Sequence, residues 1–147
     1  MQLADLQARI GETIGTSEWF TMDQGRIDNF ADSTEDRQFI HVDPEAAKAT
    51  PFGGTIAHGF LTLSMLAVMM NHAVEKLVVK LSVNYGFDKV RFLSPVKSGK
   101  RIRGHFKLRE LVEKRPGQWQ QTIEATIEIE GEDKPALIAD WIVQHIV

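Results

Sequence analysis

The hydrophobic periodicity of this chain changes once, and that change constrains the fold more than any other feature. Over residues 55–72 apolar side chains point in nearly every direction around a helix, which predicts a helix buried on all sides. After Leu77 the period falls from about 3.6 to about 2, and no further helix signal occurs before the C-terminus. A buried helix needs a cover, and antiparallel strands with one apolar face supply it. The sequence therefore predicts an α+β protein, with an antiparallel sheet wrapped around a long central helix.

The predicted strands also carry information about assembly. Their alternation slips near residues 86–89, which a β-bulge would explain. The final strand has apolar side chains on both faces, and Ile138, Ile142 and Ile146 occupy one of them. A strand of this kind needs cover on both sides, and a closed two-fold pair is the commonest way to provide it. We therefore expect a homodimer.

Shorter helices are predicted before the central one. An apolar pattern over residues 3–10 indicates the first, and Thr21 and Gln24 have the spacing of a capping box for the second. Asp43 precedes a proline, which is typical of an N-cap followed by the first helical residue. A third short helix is therefore predicted over residues 44–49.

Length and composition exclude several classes of protein. The 147 residues contain no linker or repeat, which predicts one domain over residues 1–147. The absence of Cys excludes disulfides, thiolate metal sites and a cysteine nucleophile. A net charge of −3 and a pI near 5.9 argue against a nucleic-acid partner. The longest apolar segment has only about 16 mostly apolar residues, short of a bilayer span, and no signal-peptide pattern precedes it. We expect a cytoplasmic protein without a membrane partner.

A polar segment over residues 36–43 carries the residues best suited to acid–base chemistry. Asp36 and His41 lie five residues apart on a predicted loop, and Asp43 follows two residues later. An acid and an imidazole on one irregular loop can hold a water between them, and each can exchange a proton near neutral pH. This spacing suggests a site that adds or removes water. The alternative is that Asp36 caps a turn and that His41 is an ordinary surface residue.

A metal site is a further alternative for the same residues. Asp36, His41, Asp43 and His58 could supply ligands, but no two histidines have the spacing of helical metal ligands. We therefore expect no metal. The other three histidines are interpreted as structural, because no acid converges on them in the sequence.

The second candidate feature is the glycine-rich segment before the central helix. Gly59 would present a free backbone N–H at the start of that helix, which suits a developing oxyanion on a carbonyl. The alternative is that Gly53 and Gly54 only turn the chain, and their spacing matches no nucleotide-binding fingerprint.

Basic side chains are concentrated between positions 88 and 103, where Asp88 is the only acid. They could bind the phosphates of a polyanionic ligand, and an ordinary solvated strand face explains them equally well. The six basic residues are Lys89, Arg91, Lys97, Lys100, Arg101 and Arg103.

These motifs together resemble those of a known family. The loop DRQFIHVDP at residues 36–44 and the sequence IAHGFL at residues 56–61 are similar to the hydratase motif of MaoC-like dehydratases, the (R)-specific enoyl-CoA hydratases. The strand NYGFDKVRF at residues 84–92 is similar to the nodulation-protein-N-like branch of that family. The resemblance implies the hotdog fold, a sheet wrapped around a long helix, and dimers whose sheets lie side by side.

The resemblance also implies a reaction, the syn addition of water to a trans-2-enoyl thioester of CoA or an acyl-carrier protein, without a metal or redox cofactor. His41 would take a proton from the water attacking C3, Asp36 would deliver one to C2, and the Gly59 N–H would hold the thioester oxygen. The residues then expected to bind substrate are Gln38, Phe39, Gly54, Ile56, Ala57, His58, Leu63, Leu66, Met69, Met70, Asn84, Lys89 and Arg91.

Two departures from the family pattern bear on the alternatives. Gln38 and Phe39 stand where Asn-Pro is common, and Ala67 stands where a Ser is common. An acyl-CoA thioesterase would use the same fold but would direct its water at C1, and the acid–histidine loop favours hydration over that reaction. A non-catalytic module that binds acyl thioesters is the remaining alternative.

Overall fold

A six-stranded sheet is the main element of the fold, which a computed structural model describes over all 147 residues. The strands are β1 (Thr13–Thr16), β2 (Phe20–Thr21), β3 (Leu81–Phe92), β4 (Arg101–Arg115), β5 (Gln118–Ile129) and β6 (Leu137–Ile146). They lie in the order β1-β4-β5-β6-β3, and β2 also pairs with β4. Every pairing is antiparallel. Strands β4, β5 and β6 therefore form the middle of the sheet.

All helices lie before β3 in the chain. They are α1 (Leu3–Gln7), α2 (Gln24–Thr34), α3 (Phe39–Val42), α4 (Pro44–Ala47), α5 (Gly59–Ser64) and α6 (Leu66–Ala73). Only Met65 separates α5 from α6, and its backbone is itself helical, with φ −66° and ψ −17°. We therefore treat residues 59–73 as one central helix. The central helix is longer than α2, which has 11 residues, and none of the helices could span a bilayer.

The core lies between the central helix and one face of the sheet. Alternate residues of β4 and β5 are buried in it, among them Ile102, Phe106 and Ile127. Gly104 lets the helix come close, because a Cβ there would lie 2.8 Å from the Phe106 ring and 3.2 Å from Cβ of Met69. The predicted packing of a helix on an antiparallel sheet is confirmed.

The prediction of one helix over residues 55–72, buried on all sides, is wrong in two respects. Residues 55–58 are extended, because the backbone N–H of Ile56 donates to the Ile40 carbonyl in α3 and that of Ala57 donates to the Val96 carbonyl in the loop after β3. The central helix also leaves one face exposed, at spacings of four, three and four residues. This face, which we call the open stripe, consists of Phe60, Ser64, Ala67 and Asn71.

The last strand, for which the sequence predicts cover on both faces, is an interior strand of the sheet. β6 lies between β5 and β3, so both of its edges are already paired, and Ile142 on it is buried. The two edges of the sheet belong to the short strands β1 and β2 and to the long strand β3, which pairs only with β6 and exposes Leu81, Val83 and Tyr85. Strand order decides which strand is outermost, and hydrophobic alternation carries no information about strand order.

The irregular part of β3 lies where the sequence predicts it. The register of β3 against β6 shifts between Asn84 and Gly86, and again between Phe87 and Lys89. The predicted bulge is confirmed, and the strand contains two such irregularities within six residues.

The helix caps agree with the sequence at one helix and differ at another. Asp43 caps α4 as predicted, since its carboxylate accepts a hydrogen bond from the Ala46 N–H at 3.1 Å. The cap of α2 is Asp23, which accepts from the Arg26 N–H at 2.8 Å, so the capping box predicted at Thr21 is wrong. A capping side chain two residues nearer to the helix start satisfies the free N–H groups directly.

Candidate active site

His41 is the central residue of the candidate site. It lies on the short helix α3, and only 7% of the residue is exposed. Its Nδ1 lies 2.7 Å from the carbonyl oxygen of Ile56. A carbonyl oxygen only accepts, so Nδ1 carries the proton and donates, and the Nε2 lone pair is left free. The extended segment before the central helix therefore fixes both the orientation and the tautomer of the ring.

The surroundings of His41 keep it neutral at physiological pH. Burial lowers the pKa of His41 below its ordinary value of 6.5, because a charged imidazolium loses its hydration there. The hydrogen bond to Ile56 raises the pKa, and His58 lowers it further, so the net direction is downward. A neutral imidazole with a free nitrogen can accept a proton at pH 7.

His58 stacks against the His41 ring and connects it to the loop that carries Asp36. The two rings stack with centroids 3.8 Å apart and planes 23° from parallel. His58 Nε2 donates to the backbone carbonyl of Asp36 at 2.9 Å, and Phe30 contacts the His58 ring at a centroid distance of 4.8 Å. His58 Nδ1 is buried without a hydrogen-bond partner. His58 thus positions the main chain of Asp36.

Asp36 is the exposed member of the group. The preceding residue, Glu35, has a left-handed backbone with φ 63°, which ends α2 and turns the chain towards His41. Single ligand atoms of Asp36, His41 and His58 lie within 4.8 Å of one another. The structure therefore brings together the acid and the imidazole that the sequence pairs. Asp43, the fourth residue of the alternative metal site, instead caps α4.

Gln24 is a residue of this site that the sequence analysis missed. Its amide Nε2 donates to the backbone carbonyl of His41 at 2.7 Å and to the Asp28 carboxylate at 2.8 Å. Its Oε1 accepts from the Thr55 hydroxyl at 2.5 Å. Gln24 thus connects α2, α3 and the segment before the central helix. Its only sequence signal was the capping-box spacing, which points to a different role.

A cavity of about 290 Å³ adjoins His41. Three predicted residues line it with His41, namely Ile56, Ala57 and Gly59. The lining residues that sequence reasoning missed are Phe52, Thr62, Phe92, Leu93, Ser94, Pro95, Val96 and Ala136. Most of these come from the end of β3 and the loop after it, which only the tertiary fold brings to the central helix.

Gly59 begins the central helix at the wall of this cavity. None of the hydrogen bonds of the protein uses its N–H, so this donor is free for a ligand. The ring of Phe92 packs directly over the residue, and a Cβ at position 59 would lie 3.1 Å from it. Only glycine fits here without displacing the aromatic wall.

The other predicted residues near the loop lie outside the cavity. Gln38 and Phe39 are exposed at the start of α3, and Gly54 is half-buried in the preceding turn. Lys89 lines a separate cleft of about 190 Å³ with Asp140, and the Arg91 guanidinium donates to the Val90 carbonyl. None of these five residues lines the cavity beside His41, although the Gln38 carbonyl accepts a hydrogen bond from the His41 backbone N–H at 3.0 Å.

Two of the predicted basic residues have structural partners. Arg101 pairs with Glu130 and Arg103 with Glu128, both across the neighbouring strand, and the two guanidinium groups flank the Trp19 ring. These contacts lower the pKa of both glutamates. The two arginines therefore contribute to the outer face of the sheet.

The predicted residues of the central helix have two different environments. Leu66 and Met69 are buried in the core, and Leu63 packs against it. Met70 instead lines a second cavity of about 450 Å³, which Asn84 also lines. Of the four helix positions expected beside an acyl tail, Met70 is the one that borders open space.

Comparison with known proteins gives these residues a family context. The profile of the family described as MaoC like domain matches residues 5–132. Nodulation protein N from Rhizobium leguminosarum bv. viciae is 54% identical over 144 residues, which cover 97% of this chain and 89% of that protein. A 3-hydroxyacyl-thioester dehydratase Z from Mycobacterium tuberculosis is 46% identical over 144 residues, covering 98% of this chain and 95% of that protein.

Two solved structures share the fold. A monoamine oxidase regulatory protein from Archaeoglobus fulgidus has a TM-score of 0.79 at 27% identity, covering 93% of this chain and 90% of that one. An (R)-hydratase from A. caviae involved in PHA biosynthesis has a TM-score of 0.74 at 24% identity, covering 90% and 95%. The expected hotdog fold is confirmed by these neighbours. Proteins named as dehydratases and (R)-hydratases are hydro-lyases.

Proposed function

This chain belongs to the MaoC-like domain family, and from that premise we propose that it is an (R)-specific enoyl-CoA hydratase and, in reverse, a 3-hydroxyacyl-thioester dehydratase. The observation that carries the proposal is the His41 ring, which borders a cavity, is fixed through Nδ1 and keeps Nε2 free. In this proposal Asp36 and His41 form the acid–base pair. The reaction uses neither a metal nor a redox cofactor, and the protein acts in the cytoplasm.

His41 is the general base for hydration. Its Nε2 takes one proton from a water while the oxygen of that water bonds to C3 of the trans-2-enoyl thioester. Burial supports this role, because the lowered pKa keeps the imidazole neutral before the reaction. The hydrogen bond to Ile56 then stabilises the imidazolium that forms.

Asp36 is the general acid. In its protonated form it transfers a proton to C2, so the product gains OH at C3 and H at C2, and the pair ends with a carboxylate and an imidazolium. Proton exchange with solvent restores the starting state. Dehydration runs the same transfers backwards, with the Asp36 carboxylate taking the C2 proton. The ligand-atom separation of at most 4.8 Å is compatible with one water between the two groups.

Gly59 supplies the donor for the thioester oxygen. Its N–H has no partner in the protein and lies at the cavity that His41 borders. As water adds to C3, negative charge moves to the thioester oxygen, and a preorganised N–H stabilises that enolate. The Phe92 ring forms an apolar wall beside the same position.

The acyl tail is proposed to lie beside the central helix, and Met70 limits its length. Met70 borders the cavity of about 450 Å³, whereas Leu66 and Met69 are closed off in the core. The thioester is carried by CoA or by an acyl-carrier protein.

We further propose that two copies pair along β3. This edge strand has no second neighbour and exposes Val83 and Tyr85, and the open stripe leaves the central helix uncovered on one side. Pairing at this edge would extend the sheet across both copies.

The wild-type protein should sediment as a dimer at micromolar concentration, and Val83→Lys should sediment as a monomer. Val112→Lys, at an exposed position on β4, should remain dimeric. A monomeric wild-type mass would contradict the pairing.

One assay separates the proposed reaction from its alternatives. The protein is incubated with crotonyl-CoA while enoyl absorbance and free thiol are followed together, and the configuration of the product is determined. Loss of absorbance without thiol, with an (R)-3-hydroxy product, is the expected result. Thiol release would indicate a thioesterase, and no change in either signal would indicate a binding module.

A further inference from the structure

The cavity of about 450 Å³ lies at the C-terminal end of the central helix, away from His41. Ala67 and Met70 of the helix line it together with residues of β3, β5 and β6. Its volume is that of a small-molecule binding site. Met70 lies 11 residues beyond Gly59, or roughly 16 Å along the helix axis at about 1.5 Å per residue. A group bound here is therefore distant from the thioester.

A polar cluster of two buried side chains and the exposed Ser82 forms part of the cavity wall. Ser82 Oγ lies 2.8 Å from Nδ1 of His145, and Nε2 of His145 lies 2.7 Å from Oε1 of Gln121. His145 and Gln121 are only 3% and 5% exposed. Polar side chains in an apolar core are unfavourable unless they are hydrogen-bonded, and a fully apolar wall would avoid that requirement. The presence of this cluster therefore calls for a functional explanation.

The direction of the hydrogen bonds leaves one donor group free. Oε1 of Gln121 accepts, so Nε2 of His145 donates and Nδ1 of His145 accepts from the Ser82 hydroxyl. The Gln121 amide nitrogen makes no hydrogen bond within the protein. It is also not among the fully enclosed unpaired atoms, so it retains accessible surface, and Gln121 lines the cavity. Two N–H donors are therefore available to a bound ligand.

The cluster is electrically neutral. Burial lowers the pKa of His145, so its ring carries no charge at pH 7. The charged residues that line the cavity are Glu75 and Lys76, which have opposite signs and lie exposed at its outer end. A neutral oxygen acceptor fits this wall better than a carboxylate or a phosphate, which would need a buried positive charge.

We propose that this cavity selects acyl tails that carry a hydroxyl or carbonyl oxygen, which accepts a hydrogen bond from the Gln121 amide nitrogen. The selection rests on the proposed function, because it places the acyl tail of the thioester substrate along the central helix. A plain alkyl tail of the same length would leave the buried donors unpaired and would bind less tightly.

Calorimetric titration of the full chain tests the selection without requiring catalysis. The ligands are saturated acyl-CoA thioesters, from octanoyl to dodecanoyl, each compared with its terminally hydroxylated counterpart. At one or more lengths the hydroxylated thioester should bind about three- to tenfold more tightly, the range expected for one net hydrogen bond. Equal or tighter binding of the plain tail at every length would overturn the proposal.

A variant then assigns the preference to its residue. Gln121→Met, which keeps the side-chain length and removes the donors, should abolish the preference. Gln144→Met, a matched change on β6 at a residue that lines neither large cavity, should keep it. A preference that survives in Gln121→Met would also overturn the assignment.

Crotonyl-CoA hydration is measured separately, since its tail is too short to reach this cavity. Absence of hydration would refute the proposed reaction, and the binding ratio would still decide the selection.

Discussion

The protein buries two histidines beside two cavities and holds them in opposite ways. Burial lowers the pKa of both His41 and His145. His41 uses one nitrogen for a hydrogen bond to Ile56 and keeps the other free, whereas both nitrogens of His145 are bound, to Ser82 and Gln121. Burial alone thus does not distinguish a reactive histidine from a structural one. His41 is distinguished by a free nitrogen that remains accessible, since the free Nδ1 of the third buried histidine, His58, is fully enclosed.

The groups beside His41 also differ in chemistry from those beside His145. Beside His41 a carboxylate, that of Asp36, is within reach of the imidazole. Beside His145 the hydrogen-bond partners are a hydroxyl and an amide, which neither deliver nor remove a proton readily. The first arrangement suits proton transfer, and the second suits recognition of a neutral group.

The largest expected effect comes from removing the acid–base pair. His41→Gln and Asp36→Asn should each reduce crotonyl-CoA turnover by at least about 100-fold, as is typical for a lost general acid or base. His145→Gln should change that turnover by less than about threefold, because both of its nitrogens serve structural contacts. Initial rates and circular dichroism measure activity and folding together. Near-native turnover in either of the first two variants would remove the basis for distinguishing the two histidines.

A smaller effect is expected at the cavity wall beside His41. Gly59→Ala keeps the N–H but pushes a methyl group against the Phe92 ring, at 3.1 Å in the unrelaxed structure. The displaced wall should reduce kcat/KM for crotonyl-CoA about tenfold through misplacement of the thioester. Gly54→Ala is the matched control, since a Cβ there meets nothing within 4 Å. If both variants behaved alike, Gly59 would have no special part in the reaction.

A further prediction separates the two methionines of the central helix. Met70→Ala should enlarge the cavity of about 450 Å³ and improve kcat/KM for longer tails by up to about fourfold per added methylene. Met69→Ala should leave the length preference unchanged and lower the free energy of unfolding by about 2–5 kcal/mol, because Met69 is buried in the core. A series of enoyl-CoA lengths and urea denaturation measure the two effects. An unchanged profile in Met70→Ala would place the tail elsewhere.

The smallest expected effect concerns the pH dependence of stability. The pKa of both histidines is lower in the folded protein than the ordinary value of 6.5, so the unfolded chain binds protons first as the pH falls. Their contribution to stability is complete above that value and declines below it, down to the folded pKa. His145→Gln should flatten this decline in urea denaturation between about pH 7.5 and about pH 5.5. An equally steep decline in the variant would show that His145 does not contribute.

Local patterns predicted the elements that local physics determines. Alternation along β4 and β5 identified their buried faces, since each strand has one side against the core. The slip in alternation located the bulges of β3. The spacing of Asp36 and His41 selected the pair that α2, α3 and the left-handed Glu35 bring together.

These local patterns could not predict features that depend on long-range contacts. The order of the strands, and hence the exposed edge at β3, is not encoded in alternation along one strand. Gln24 and Phe92 reach the candidate site from segments distant in sequence. The open stripe of the central helix has the sequence pattern of a buried face. Small and apolar residues such as Ala67 occupy it, although the chain itself leaves this face uncovered.

The two bulges of β3 have a consequence for aggregation. Until a second copy covers it, a twelve-residue edge strand with exposed Leu81, Val83 and Tyr85 would be a template on which an unfolded chain could add a strand and start a fibre. The register shifts around Gly86 interrupt the regular spacing of backbone donors and acceptors along that edge. A flat foreign strand can then pair over only a few residues at a time. Straightening the edge by deleting a bulge residue should therefore turn a discrete protein into a precipitating one.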